Sequence, residues 1–389
     1  MSEPIELYST AIDADPFPMY ARLREDHPCY WSPSANIWFL SRYEDVFNAA
    51  QDWETYSSSR GNLIDEIPGR SGGTLGTTDP PRHDRLRLLA QSAFTKRNIE
   101  YLAAPAVEIA DQAVARILEH GGRFDFVSDF SSIVTVGLLF RMLGLPAANP
   151  AEIRHKVVLS ISTDKERRGR NDTLNAAFFD LSSFIASEVT KRRADPQDDL
   201  VTRLAEAEID GDRLSEREVV LTTSMFVVAG VESLSSFMSL FALNLARFPQ
   251  ARARLVADPT LVEQAIEESL RYNTSAQRFK RSLTRDVELH GQTMRAGDSV
   301  VLAYGSANRD HRKFENPDVY DIDRRPMGHL GFGVGKHFCI GNQLARLVTR
   351  LAMQRFLAAI PDYELTRPDF GWVPSSNFRS PMALPFQVV

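Results

Sequence analysis

Cys339 stands in the run Phe332-Gly333-Val334-Gly335-Lys336-His337-Phe338-Cys339-Ile340-Gly341, and the residues around it decide what a thiol could do there. Gly333 and Gly335 permit backbone angles that a residue with a Cβ resists. Gly341 lets the backbone lie close to something flat and large. From Ile340 the apolar residues Leu344, Leu347, Val348, Leu351 and Ala352 recur at helical spacing. The thiol is therefore expected at a helix N-terminus, where free N–H groups and partial positive charge favour a thiolate. The same N–H groups can bond the sulfur and tune a metal that it holds. One thiolate with no ligand cluster beside it suits a cofactor that brings its own equatorial ligands. That cofactor is haem, with Cys339 as the axial ligand of the iron.

With Phe332, Gly333, Gly335, His337, Cys339, Gly341, Ala345 and Arg346 in these positions, the segment resembles the haem-binding loop of the cytochrome P450 superfamily. A second stretch, Val227-Val228-Ala229-Gly230-Val231-Glu232-Ser233, lies in a long apolar helical pattern. Gly230 costs such a helix about 1 kcal/mol relative to Ala, and Gly230 with Ser233 can loosen its hydrogen-bond ladder. The order small residue, glycine, any residue, acid, alcohol resembles the oxygen-binding groove of the same family. The resemblance implies that Glu232 and Ser233 relay protons to dioxygen at the haem, so that the O–O bond breaks heterolytically. Ser233 occupies a place where Thr is usual and is followed by Leu234; serine keeps the hydroxyl but turns more freely at χ1. Looser coupling of electrons to product is the expected result.

Further residues follow from the resemblance. His83 and Arg87, i and i+4 after the turn Asp79-Pro80-Pro81, match haem-propionate positions, as do Arg281 and His337. Glu268 and Arg271 match a buried Glu-x-x-Arg pair, with Arg324 as its third member in a structural role. Met225, Val228 and Ala229 precede the acid–alcohol pair and are expected to face the substrate pocket. Gln277 and Phe279 should line it from a strand, and Phe378 should close it from a late hairpin. Residues 61–78 and 161–193 read as mobile walls and lid.

The elements that must position these groups are mainly helical. Helices are expected over residues 16–25, 43–51, 98–120, 131–143, about 215–248 and 261–272, the fifth apolar on nearly every face and so crossing a large core. A hairpin is expected over residues 29–42, and strands over 286–289 and 299–303 about the turn His290-Gly291-Gln292. The expected fold class is mainly α with small β-sheets, the cytochrome P450 fold, as one haem-thiolate catalytic domain over residues 1–389.

Composition bounds the rest. The chain has 389 residues, 43% hydrophobic and 25% charged, an ordinary balance for a globular protein. The net charge of −6, with no basic block, argues against nonspecific nucleic-acid binding. Cys29 and Cys339 form no C-x-x-C pair, and a disulfide between them would consume the proposed ligand, so a reducing cytoplasm is expected. The opening Met1-Ser2-Glu3-Pro4-Ile5-Glu6 lacks the charged and apolar regions of a secretory signal, and no run of about 18 apolar residues is apparent. The resemblance then implies a soluble, bacterial-type monooxygenase, a monomer, that hydroxylates or O-dealkylates a small to medium hydrophobic molecule using haem b (iron protoporphyrin IX) and O2. No G-x-G-x-x-G opens a βαβ unit, so electrons from NAD(P)H must arrive indirectly, through a 2Fe-2S ferredoxin and its reductase. Three alternatives stay open: a peroxide-using peroxygenase, a non-catalytic haem-binding or sensor protein, and an isomerase or dehydratase on the same fold.

Overall fold

Ser215 starts the longest element. Its Oγ accepts the Glu218 N–H and the Glu218 carboxylate accepts the Ser215 N–H, a capping box that fixes the first turn. The helix Glu216–Arg247 then runs as unbroken α-helix, so the loosening expected at Gly230 and Ser233 is absent. By length and composition it could cross a membrane, which corrects the expectation that no such run exists. Yet 72% of its apolar window is buried inside the protein, as in a core helix. The computed structural model describes residues 5–91, 94, 96–147, 149–209 and 211–389; the opening residues 1–4, part of the segment read for a leader, lie outside these.

This central helix serves two cores. Val219, Phe226, Val227 and Val231 pack with Val136, Leu139, Ile185 and Leu204 in one; Phe237, Phe241 and Leu245 pack with Phe130, Val348 and Phe356 in the other. Around it lie the helices Ser132–Leu143, Pro150–Ile161, Asp172–Ala194 and Asn342–Ala359.

A five-stranded sheet flanks the helices in the order Cys29–Ser32, Ile37–Leu40, Ser299–Leu302, Phe279–Leu283, Tyr56–Ser57. The first two strands form the expected hairpin, with Asn36 at φ +52° in its turn. The strand Val287–Leu289 pairs across the predicted turn with Gln292–Met294, whereas Ser299–Leu302 pairs with Ile37–Leu40 and Phe279–Leu283. The helix expected over residues 98–120 is two helices, Lys96–Glu100 and Ala103–Glu119. Pro105 is the cause: its ring excludes the carbonyl of Tyr101 from an α-turn, and it is accommodated in the first turn of the second helix. A three-stranded sheet, Tyr363–Leu365, Pro385–Val388, Arg123–Asp125, closes the far end.

Candidate functional site

Between the central helix and the cysteine loop lies an apolar cavity of about 360 Å³. The loop reaches it by the backbone angles that its glycines allow: φ is +68° at Gly333 and +73° at Gly335. Gly335 has a second reason to be glycine, since a Cβ there would stand 2.7 Å from the Ala50 carbonyl oxygen. The loop closes through the Cys339 N–H on the Phe332 carbonyl at 3.0 Å, and the helix Asn342–Ala359 begins three residues later. Cys339 is enclosed in the protein but borders the cavity. Burial pushes its thiol up; the Gly341 N–H on the sulfur and the nearby Arg87 and Arg346 work the other way without winning.

His83, Arg87, Arg281 and His337 line the same cavity. They come from three segments, the helix Arg82–Gln91, the strand Phe279–Leu283 and the cysteine loop, and the two imidazoles meet edge to face with centroids 4.7 Å apart. Burial, and then the charges of Arg281, His83 and Arg87, hold His337 well below the usual imidazole range. Both rings carry a buried Nε2 with no partner. The Asp84 carboxylate accepts from His83 Nδ1–H, 3.0 Å away, so His83 Nε2 is an acceptor on the neutral ring and donates only from the imidazolium. Orphaned buried nitrogens call for an occupant. Two anionic carboxylates beside a large apolar body, with a metal over the sulfur, satisfy all five groups. The residues present therefore fit a haem: Cys339 could hold its iron and the other four its propionates, with Phe332 and Gly341 also on the wall.

The acid and alcohol of the central helix part company. Ser233 borders the cavity with Met225, Val228, Ala229 and Gly230, while Glu232 turns away from it. One helical step rotates a side chain by about 100°, which separates neighbours in this way. Gly230 lets the helix approach Leu139, whose Cδ2 would lie 3.0 Å from an added Cβ. Glu232 is fully buried; its Oε1 accepts from Ser236 Oγ at 2.8 Å, Ser380 Oγ at 2.5 Å and Arg154 Nη2 at 3.4 Å, and its Oε2 has no partner. Arg154 also donates to the Pro381 carbonyl at 3.0 Å and reaches the surface.

Phe279 and Phe378 line the cavity edge to face, centroids 5.8 Å apart, but Gln277 does not line it. The correction has a backbone cause. The Asn377 carbonyl accepts from the N–H groups of both Gln277 and Arg278, so two residues stand opposite one, as in a β-bulge. The bulge breaks the i, i+2 alternation that would put Gln277 beside Phe279. Gln277 packs instead against Gly305 and donates to the Thr274 carbonyl. From the two segments read as walls and lid, Asn62, Leu63, Ile67, Arg70, Ile161 and Phe178 reach the cavity; Leu181 lies in a core and Phe179 is exposed.

Glu268 and Arg271 form a fully buried two-point ion pair at 2.7 and 2.8 Å, and Arg324 Nε approaches the same carboxylate at 3.3 Å. Arg271 and Arg324 also bind the carbonyls of Asn308, Glu315, Asn316, Pro317 and Val319, fixing the segment that leads to the cysteine loop. Sequence reading missed the neighbouring tie: Glu267 accepts from Arg346 at 2.6 Å and His329 at 2.9 Å, and Arg346 covers the Phe332 ring at 4.5 Å. It also missed Arg154, Ser236 and Ser380, for which no local pattern exists.

Comparison with known proteins agrees with this geometry. The family model described as Cytochrome P450 matches residues 154–359. The chain is similar to the nocardicin C N-oxygenase of Nocardia uniformis subsp. tsuyamanensis, 33% identical over 97% of each chain. It is similar also to the methyl-branched lipid omega-hydroxylase of Mycobacterium tuberculosis, 33% identical over 89% of this chain and 85% of the other. Among solved structures, cytochrome P450 CYP109Q5 from Chondromyces apiculatus superposes with a TM-score of 0.89 at 28% identity, over 100% of this chain and 99% of that one.

Proposed function

The chain belongs to the cytochrome P450 family and is a haem-dependent monooxygenase; on that premise we propose that it hydroxylates or O-dealkylates a small to medium hydrophobic molecule. Its electrons would come from a 2Fe-2S ferredoxin and an NAD(P)H-dependent reductase. The observation that carries this reading is the meeting of Cys339, His83, Arg87, Arg281 and His337 on one apolar cavity that Ser233 also borders.

When bound, haem b supplies the activation of dioxygen and the transfer of one oxygen atom. The chain supplies the rest. Cys339 would hold the iron, and the Gly341 N–H bonds the sulfur. His83, Arg87, Arg281 and His337 would donate to the propionates and so orient the ring. Met225, Val228, Ala229, Phe279 and Phe378 exclude water and would hold the substrate beside Ser233. Ser233 Oγ delivers a proton at the cavity wall. Glu232, the next acid on the helix, is assigned to replace that proton, its carboxylate held by Ser236, Ser380 and Arg154.

Lys336 and Phe338 are exposed on the cysteine loop and suit the docking of an acidic ferredoxin. We read residues 1–389 as one catalytic domain, monomeric and cytoplasmic; the central helix shared by both large cores supports the single domain. The test is the absorption spectrum of the reduced protein with carbon monoxide. A strongly red-shifted Soret band is expected; an ordinary ferrous–CO spectrum would remove the thiolate, and no Soret band would remove the haem.

A further inference from the structure

The apolar cavity carries one charged side chain away from the group around Cys339. Arg70 lines it beside Asn62, Leu63 and Ile67, and among the described residues no Asp or Glu does. Arg70 is 8% exposed, and its position is fixed in detail. Nε donates to Glu66 Oε1 at 2.6 Å; Nη2 donates to Glu66 Oε2 at 2.9 Å and to Asn62 Oδ1 at 2.5 Å. Glu66 in turn is held by the N–H groups of Asn62, Leu63 and Ile67 at 2.8, 3.0 and 3.1 Å. Gly61, at φ +97°, makes room for it, since a Cβ there would collide with the Glu66 carboxylate. This much bonding immobilises a guanidinium before any ligand arrives.

Arg70 Nη1 is left over. It has no hydrogen-bond partner among the described residues, and it is not among the sealed polar atoms. Its donors face a region whose charges do not cancel. Arg170 and Lys280 both feel Glu66, Asp65 and Arg70 electrostatically, so three cations surround two carboxylates. Asp65 accepts from Tyr8, Thr163 and Ser376, and Arg170 donates to the carbonyls of Ser160 and Leu174 and to Asn175, so neither takes up the spare Arg70 nitrogen. A preorganised guanidinium with one spare nitrogen, Nη1, on an apolar wall is matched by a carboxylate oxygen.

We propose that Arg70 anchors the acidic head group of the substrate, so that the substrate class is apolar carboxylic acids bound with the tail toward Ser233. The inference rests on the monooxygenase reading for the fate of the tail, but binding of the head group is tested independently of it.

The experiment compares straight-chain acids from hexanoic to hexadecanoic, and 3-phenylpropanoic acid, each with its methyl ester, on the purified holoprotein. Affinity is read by calorimetry and by the optical spin-state shift. Acids are expected to bind about tenfold or more tighter than their esters, the scale of a hydrogen bond to a charged group. Because Arg70→Met alone strands the Glu66 carboxylate, the paired variant Glu66→Gln/Arg70→Met is used; its acid-over-ester preference should fall to about one. Arg70→Lys, which keeps the charge but not the fork, should retain part of it. Equal binding of acids and esters across the series in the unaltered protein overturns the proposal, as does a preference that survives in the paired variant. The red-shifted CO band in each protein reports separately on the haem, so its loss would speak against the monooxygenase reading and not against the anchor.

Discussion

Ser380 Oγ lies 2.5 Å from Glu232 Oε1, joining the late loop of the chain to the middle of its central helix. Ser236 Oγ completes the triangle, 2.8 Å from the carboxylate and 2.6 Å from Ser380. The acid is thus held off the cavity wall, on hydroxyl groups that can both take and give a proton. Arg154, 3.4 Å from both Glu232 and Ser380, links the triangle to the outside.

Breaking this path should slow proton delivery and leave binding alone. Glu232→Gln is expected to lower turnover about 10²-fold, the lower end for a positioned acid or base. Ser380→Ala should lower it several-fold, with a raised solvent deuterium isotope effect and unchanged ligand affinity. An unaltered isotope effect in both variants would place proton delivery elsewhere.

Ser233→Ala removes the one hydroxyl of the acid–alcohol pair that borders the cavity. Haem content and ligand-induced spin shift should persist while electrons are diverted to hydrogen peroxide. The measure is product formed per NADH consumed, which should drop well below that of the unaltered protein; an unchanged yield defeats the relay assignment.

Cys339→His should retain haem, because the four propionate donors and the apolar walls are untouched, and should lose both the red-shifted CO band and oxygenation. Full oxygenase activity in that variant would overturn the axial assignment.

Gly335→Ala introduces a Cβ at φ +73° and 2.7 Å from a backbone oxygen that cannot easily retreat. The expected cost is about 1–3 kcal/mol, with a lower Tm and reduced haem occupancy on expression. The equivalent change at Gly291, also at positive φ but with open space around it, should cost less.

Glu267 should govern part of the acid lability. Burial alone would raise its carboxyl, but hydrogen bonds from Arg346 and His329 outweigh that and bring it from 4.5 down to about 2. A carboxylate lowered on folding adds stability that is complete above its unfolded value and is lost as pH falls through the folded one. Glu267→Gln should therefore lower Tm at pH 7 and flatten its decline between about pH 4.5 and pH 2. Identical acid slopes in thermal melts of the two proteins would refute this.

The loop at Cys339 could be read from the sequence because its constraints are local. The left-handed angles of Gly333 and Gly335 and the helix that follows depend on residues a few positions away. The central helix was legible for the same reason, from Ser215 and Glu218 to its unbroken apolar run. Gln277 was misplaced because its bulge is imposed by Asn377, far along the chain. The strand Ser299–Leu302 found a partner in residues 37–40 rather than in its nearest neighbour. Glu268 and Arg271 could be paired from the family resemblance, yet nothing near Glu232 announces Ser380 or Arg154 as its partners.

The cavity wall draws on residues from Asn62 to Phe378, almost the whole length of the polypeptide. A ligand that fits there can stabilise only a chain whose distant segments have already come together, since it has little to grip in any fragment. Such non-local closure is slow in folding. During synthesis the complete pocket exists only once the segment around Phe378 has emerged.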